Sequence, residues 1–384
     1  MAALSSGHLA TDLAQGALPA LLPFLVVKFD LSYTMAAALV LAATISSSLI
    51  QPAFGVWSDV RGALWLLPAG VALAGVGMAL ASVAPTYPLV LVAVLAAGVG
   101  VAAYHPEGSK FASYVSGERR ASGMAFFSVG GNLGFALGPV LASGLVLWLG
   151  LTGGLLLALP GVAVAAGLLA VRPYLEEFAP GPAAVDEEDR SVERRGGLAL
   201  LLGVVGLRSV AHMGLFTFVP LYEVARGHSE AHGTVLLSLF LLMGAIGTLF
   251  GGRLADRLGR RAVLLGSFVV STPLILVYAV TGGIVGEIAL ILSGAAVIGT
   301  FGVSLVLSQE YMPSRVGMAS GLSIGLAIGL GGVAALTLGA VADAVDLETA
   351  VAATAAGPAL AFLLTLFLPP APRRRPTEPA PVSV

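Results

Sequence analysis

The sequence predicts an all-α membrane protein, with twelve transmembrane helices in two pseudo-symmetric six-helix bundles. Three observations predict it. Of 384 residues, 57% are apolar and only 10% charged, against roughly 45–50% and about 25% in soluble domains, and the mean hydropathy is +0.97. Apolar runs of helical length recur along the whole chain, and twelve spans of about 21 residues would use about 252 positions, leaving about 130 for loops and tails. Finally, the two halves of the chain repeat weakly.

The runs predict helices over 4–28, 33–57, 64–84, 86–108, 121–147 and 151–172, and then over 197–222, 233–254, 262–281, 285–311, 317–341 and 347–368. The first is expected to be a retained helix rather than a signal peptide, because no Lys or Arg precedes Lys28 and His8, Asp12 and Gln15 interrupt it. The second carries Gln51 beside Pro52 and the fourth carries Tyr104-His105-Pro106-Glu107. The fifth has Gly130, Gly134 and Gly138 on one face, where missing side chains permit close packing, and Pro139 removes a backbone donor. Between the sixth and seventh, 173–196 holds seven acidic residues, three basic ones and three prolines, too polar to span a bilayer. It is a linker between an N-terminal bundle, 1–172, and a C-terminal bundle, 197–368, and 369–384 is a tail.

The repeat supports this division. At an offset of 197, Gly55 and Asp59 of GVWSDVRGAL fall on Gly252 and Asp256 of GRLADRLGRR, and Pro23 falls on Pro220. Parallel six-helix repeats are one way in which transporters build a substrate site between halves. With the N-terminus cytoplasmic, 16 Lys and Arg fall in cytoplasmic loops and the tail and two, Lys28 and Arg226, on the opposite side. This asymmetry predicts both termini in the cytoplasm.

GRLADRLGRR resembles the loop between the second and third helices of each half in the major facilitator superfamily. The strings GHLATDLAQG, SSSLIQPAFGVWSD, AYHPEGSK, GGNLGFALGP and SQEYMPSRVGMASG are similar to its fosmidomycin-resistance-type branch, and they cover nearly the whole chain. The resemblance implies a proton-driven exporter of small molecules, the branch's named drug being an anionic phosphonate. It also implies a conformational latch at Gly55, Asp59, Gly252, Asp256, Arg257, Gly259, Arg260 and Arg261. The first copy of the latch has Val60 and Ala63 where basic residues are usual. Gly134, Gly138 and Pro139 look like the family's antiporter-associated motif in the fifth helix.

Charges at bilayer depth cost about 2.5–3.5 kcal/mol each on insertion scales, so each needs a partner, a wet cavity or a function. Asp12 lies about 12 Å into the first helix, with His8 one turn before and Gln15 one turn after. A carboxylate moving between wet and paired states can take up and release a proton; a structural hydrogen bond is the alternative. Arg208 sits one position before the pseudo-symmetric counterpart of Asp12, with His212 four residues on. Its guanidinium suits a phosphonate or carboxylate, or else forms a permanent salt bridge to Asp12 or a glutamate. His105, Glu107 and Glu310 are further proton-coupling candidates, Glu107 with Lys110 as an alternative ion-pair partner. Gln15, Gln51, Tyr104, Asn132 and Gln309 are candidate pathway residues.

These readings predict a proton-coupled exporter of small anionic or amphiphilic compounds working by alternating access. The site is expected between the first, fourth, seventh and tenth helices of a monomer in a bacterial-type inner membrane. Uptake of an organic acid or sugar remains the alternative, with a transport-inactive receptor or membrane enzyme behind it. No nucleotide-binding glycine loop or nucleophilic triad supports an enzyme. No cofactor is implied, the proton gradient being the driving force. With a net charge of −2, nucleic acid is not an expected partner. Zero Cys excludes thiolate chemistry, and five scattered His predict no metal site.

Overall fold

The computed structural model of the chain describes residues 1–61, 63–116, 120–178, 193–312 and 316–370. Most of the expected linker and tail, with Arg119, Arg190, Arg315 and Arg373 to Arg375, lies outside the described residues, as do the side chains of Asp59, Arg61 and Arg120. Helices and one 3₁₀ segment make up the regular structure, with no strand among the described residues. In order these are α1 (Ala2–Phe29), α2 (Tyr33–Leu49), α3 (Gln51–Arg61), α4 (Leu66–Val83), α5 (Tyr87–Ser116) and α6 (Arg120–Leu149). A 3₁₀ stretch, Gly150–Leu157, leads into α7 (Ala158–Glu176). There follow α8 (Arg195–Ala225), α9 (Glu230–Leu258), α10 (Arg260–Val280), α11 (Gly283–Gly299), α12 (Phe301–Tyr311), α13 (Val316–Ala344), α14 (Leu347–Ala353) and α15 (Ala356–Thr365).

Eleven helical stretches among the described residues are long and apolar enough to cross a membrane. One of them, Phe126–Glu176, has 51 residues. As a single helix it would be about 76 Å long, far beyond the ~30 Å of a hydrocarbon core. Gly150, at φ 67°, breaks it into two crossings. The result is the twelve-crossing arrangement, with α2–α3, the 3₁₀ stretch–α7, α11–α12 and α14–α15 each forming one interrupted crossing. Large apolar side chains such as Trp148, Phe250 and Phe367 are exposed, as a lipid-facing surface requires.

The sequence-predicted boundaries shift where helices outlast their apolar runs. The fourth crossing continues from 108 to Ser116, which moves Glu107 well inside the helix. GRLADRLGRR is not a loop: good helix formers carry α9 through Leu258, and Gly259 alone turns the chain into α10. Its φ of 91° and ψ of 147° lie where only glycine is comfortable. Side-chain caps start other helices, Ser32 Oγ accepting from the Met35 N–H at 3.2 Å and Ser229 Oγ from the His232 N–H at 3.2 Å.

Packing within the N-terminal half is closest between α1 and α6. A methyl group added at Gly130, Gly134 or Gly138 would run into the backbone of Ser5, Leu9 or Leu13, and one at Gly16 into that of Phe135. The predicted small-residue face of the fifth crossing is therefore a helix-packing face. The two halves meet through α2 against α13 and α6 against α9. At one end, Asp343 Oδ1 and Oδ2 accept the backbone N–H groups of Tyr33 and Thr34 at 2.8 and 2.9 Å, capping α2 from the opposite half. Gly339 abuts Tyr33 and Thr34, and Gly332 abuts Thr44; nearer the Arg-rich end, Gly325 comes no closer than 3.9 Å to Ser48. Along α2 and α13 the helices thus approach most closely toward the end away from the Arg-rich segments.

Candidate functional site

The ionisable residues inside the bundle occupy matching places in the two halves. In the N-terminal half, Asp12 on α1 meets two imidazoles. His8 Nε2 lies 3.2 Å from Oδ2 and His105 Nε2, from α5, 3.2 Å from Oδ1. The first contact follows from i,i+4 spacing; the second joins the first crossing to the fourth. Each ring is held from its other side, His8 Nδ1 by the Phe127 carbonyl and His105 Nδ1 by the Val101 carbonyl, both at 2.9 Å. His8 also stacks on Phe127 with ring centres 4.2 Å apart. Gly131 leaves the room: a methyl group there would overlap His8 and sit 2.7 Å from Asp12 Oδ2.

The carbonyl contacts decide the tautomers. A carbonyl only accepts, so each Nδ1 carries a proton, and a neutral ring then turns the Nε2 lone pair toward the carboxylate. Each contact is favourable only with a proton between nitrogen and oxygen.

In the C-terminal half, Arg208 on α8 is buried. Its Nη1 donates to Ser304 Oγ at 3.2 Å and Thr300 Oγ1 at 3.4 Å, and its guanidinium lies 5.2 Å from the centre of the Phe301 ring. No carboxylate of the described residues lies within ion-pair distance of it, so the salt bridge to Asp12 or a glutamate left open by the sequence is not formed. Thr300 is the break between α11 and α12. Arg208 thus joins the seventh crossing to an interrupted tenth, as Asp12 joins the first to the fourth. His212, one turn on, has a buried Nε2 without a hydrogen bond and lies 6.5 Å from the Phe135 ring. Phe135 in turn stacks on Phe216 at 4.9 Å across the seam between the halves.

Other candidates take different places. Tyr104 is fully buried, its hydroxyl donating to the Leu4 carbonyl, which ties α5 to α1. Glu107 is buried with Lys110 Nζ 2.8 Å from its Oε2, the ion-pair alternative. Glu310 joins the latch residues: Arg260 Nη2 lies 3.1 Å from Glu310 Oε1 and 3.6 Å from Asp256 Oδ1. Arg261 instead donates to the carbonyls of Thr365 and Leu366, capping the end of α15, and Arg257 is exposed. Close approach at the latch glycines is not observed, since a methyl group at Gly252 would meet nothing within 4 Å and one at Gly55 only Pro106 at 3.7 Å. Gln15, Gln51, Asn132 and Gln309 are half-buried.

Four of the five histidines, scattered in the sequence, are brought together in space. The structure gathers His8 and His105 on Asp12, and His228 and His232 on Glu223, each set with its ligand-type atoms within 4.8 Å. Glu223 escaped sequence reasoning because it lies at the end of an apolar run, although His228 and His232 stand four residues apart.

Two six-helix halves of apolar crossings, with buried ionisable side chains at matching places, define a multi-pass membrane transporter. The chain belongs to the Major Facilitator Superfamily, whose family model matches residues 4–336. It is 32% identical over 386 residues to the fosmidomycin resistance protein of Escherichia coli (strain K12), covering 96% of this chain and 92% of that one. It is 31% identical over 373 residues to the uncharacterized MFS-type transporter YfnC of Bacillus subtilis (strain 168), covering 94% and 90%. Among solved structures, a bacterial homolog to the human lysosomal transporter Spinster, inward-facing and occupied, matches with a TM-score of 0.82 at 13% identity over 95% of each chain. A point mutant of the nucleoside transporter NupG matches with a TM-score of 0.74 at 14% identity, over 95% of this chain and 98% of that one. At such identities the structural matches speak for the fold.

Proposed function

We propose that this transporter couples the inward movement of protons to the export of small anionic or amphiphilic compounds. The observation that carries the reading is the carboxylate of Asp12 inside the first crossing, with an imidazole Nε2 3.2 Å from each of its oxygens, one of them from the fourth crossing. Alternating access that exposes this cluster first to one side and then to the other would load and unload it. Arg208 supplies the complementary site: a buried cation held by two hydroxyls and the Phe301 ring, with no carboxylate partner among the described residues, is costly unless an anion joins it. The similarity to a fosmidomycin resistance protein supports export of such an anion. Termini on the cytoplasmic side of an inner membrane follow from the Lys and Arg asymmetry, and a monomer suffices because both halves of the site lie in one chain.

The test is transport by the purified protein in proteoliposomes, with an imposed pH gradient and a panel containing phosphonates, carboxylates and neutral compounds. Gradient-driven movement of anionic cargo against the proton flux is expected. Movement that ignores the pH gradient would overturn the coupling.

A further inference from the structure

At the end of the C-terminal half away from the Arg-rich segments, a second cluster lies outside the site described above. We propose that Glu223, His228, His232 and Glu287 form a binding site for a divalent transition-metal ion of the zinc type.

Local structure brings the four together. Glu223 is in the last turn of α8 and is buried. Gly227, at φ 90°, reverses the chain, and the His228 N–H bonds back to the Glu223 carbonyl at 3.0 Å. Ser229 then caps α9, which sets His232 in its first turn. Glu287 comes from the first turns of α11. His228 Nδ1 lies 2.6 Å from Glu223 Oε2; His232 Nε2 lies 3.6 Å from the same oxygen and 3.3 Å from Glu287 Oε1. That Nε2 is buried and makes no hydrogen bond.

Two imidazole nitrogens and the Glu223 carboxylate, all within 4.8 Å of one another, are a three-ligand set suited to zinc, and Glu287, 3.3 Å from His232 Nε2, stands at its edge as a fourth donor. The two oxygens of Glu223 divide the work. Oε2 faces the imidazoles, while Oε1 accepts the Tyr278 hydroxyl at 2.9 Å and has Arg226 Nη1 at 3.8 Å. A hydrogen-bonded carboxylate is how metal sites orient their ligands. Arg226 is turned mainly elsewhere, donating to the carbonyls of Tyr278 and Ala279 and lying over the Tyr222 ring at 4.1 Å. With two carboxylates and one guanidinium the site carries a net charge of −1 when its imidazoles are neutral, which favours a dication. The ion would tie α8, α9 and α11 together within one half, leaving the seam between the halves free to move.

The test is ZnCl₂ titration of the full-length, chelator-stripped protein in detergent, followed by calorimetry and by thermal unfolding. One saturable site of micromolar affinity or tighter is expected, with a zinc-dependent rise in Tm. His228→Ala/His232→Ala should weaken binding about 100-fold or more, and Tyr278→Phe about 10-fold, within the range for an outer-shell partner. Should the double variant misfold, Glu287→Gln and His228→Gln singly provide the comparison, each expected to weaken binding and to remove the rise in Tm. Absence of saturable binding below about 1 mM, or unchanged affinity in these variants, overturns the proposal. So does a zinc signal lost in His8→Ala/His105→Ala but kept in His228→Ala/His232→Ala, which would place the metal on the Asp12 cluster.

Discussion

His105 Nε2 lies 3.2 Å from Asp12 Oδ1, joining residues 93 positions apart on the fourth and first crossings. The pair makes the Asp12 carboxylate a contact between two helices, so relative movement of α1 and α5 changes its surroundings.

Asp12→Asn keeps the size of the side chain and one acceptor but removes the ionisable group. Transport driven by a pH gradient should fall by about 100-fold or more in proteoliposomes, in the range for loss of an acid–base group, with unfolding temperature and substrate binding retained. Full gradient-driven transport in this variant would take Asp12 out of the mechanism.

Arg208→Gln replaces the charge by an amide that still reaches hydroxyl groups. A charge-assisted, two-pronged contact is stronger than a neutral one, so apparent affinity for anionic cargo should drop about tenfold, or about 1.4 kcal/mol. Competition binding with matched anionic and neutral compounds measures the split. Equal losses for both would mark Arg208 as structural.

Gly134→Ala would drive a methyl group into the Leu9 carbonyl, with the Leu9 carbonyl carbon at 2.9 Å and the Leu13 nitrogen at 3.0 Å. All three are backbone atoms, so the helices must part, at about 1–3 kcal/mol. Thermal unfolding should show a lowered Tm. Gly144→Ala on the same helix, with nothing within 4 Å, is the control and should leave Tm unchanged.

Asp343→Ala removes the acceptors for two N–H groups at the start of α2 and should weaken closure at that end by about 1–2 kcal/mol, as loss of an N-cap does. Because the chain has no Cys, Thr44→Cys introduces its sole thiol beside Gly332. Labelling by a membrane-impermeant maleimide from that side should rise about tenfold when Asp343→Ala is added, a factor worth about 1.4 kcal/mol. An unchanged rate would assign closure to the packing of Gly332 and Gly339 alone.

The crossings were legible in the sequence because their driving force, apolar length, is written residue by residue. So were the contacts with helical spacing, His8 with Asp12 and Glu107 with Lys110. What escaped depends on three-dimensional closure. His105 reaches Asp12 only once α5 packs on α1, and Glu223 meets its histidines only because Gly227 turns the chain back. The break at Thr300 follows no proline, and nothing local announces that Arg208 docks there. For GRLADRLGRR the loop expectation came from the end of the apolar run at 254 and from family resemblance, whereas the charged, helix-forming residues carry α9 on to Leu258.

The one-residue turn at Gly259 has a mechanical consequence. A 29-residue helix and a 21-residue helix joined without slack form a stiff hairpin. Arg260 holds Glu310 on one side of that joint and Arg261 holds the last turn of α15 on the other. The basic cluster thus ties the ends of four crossings of the C-terminal half to one another.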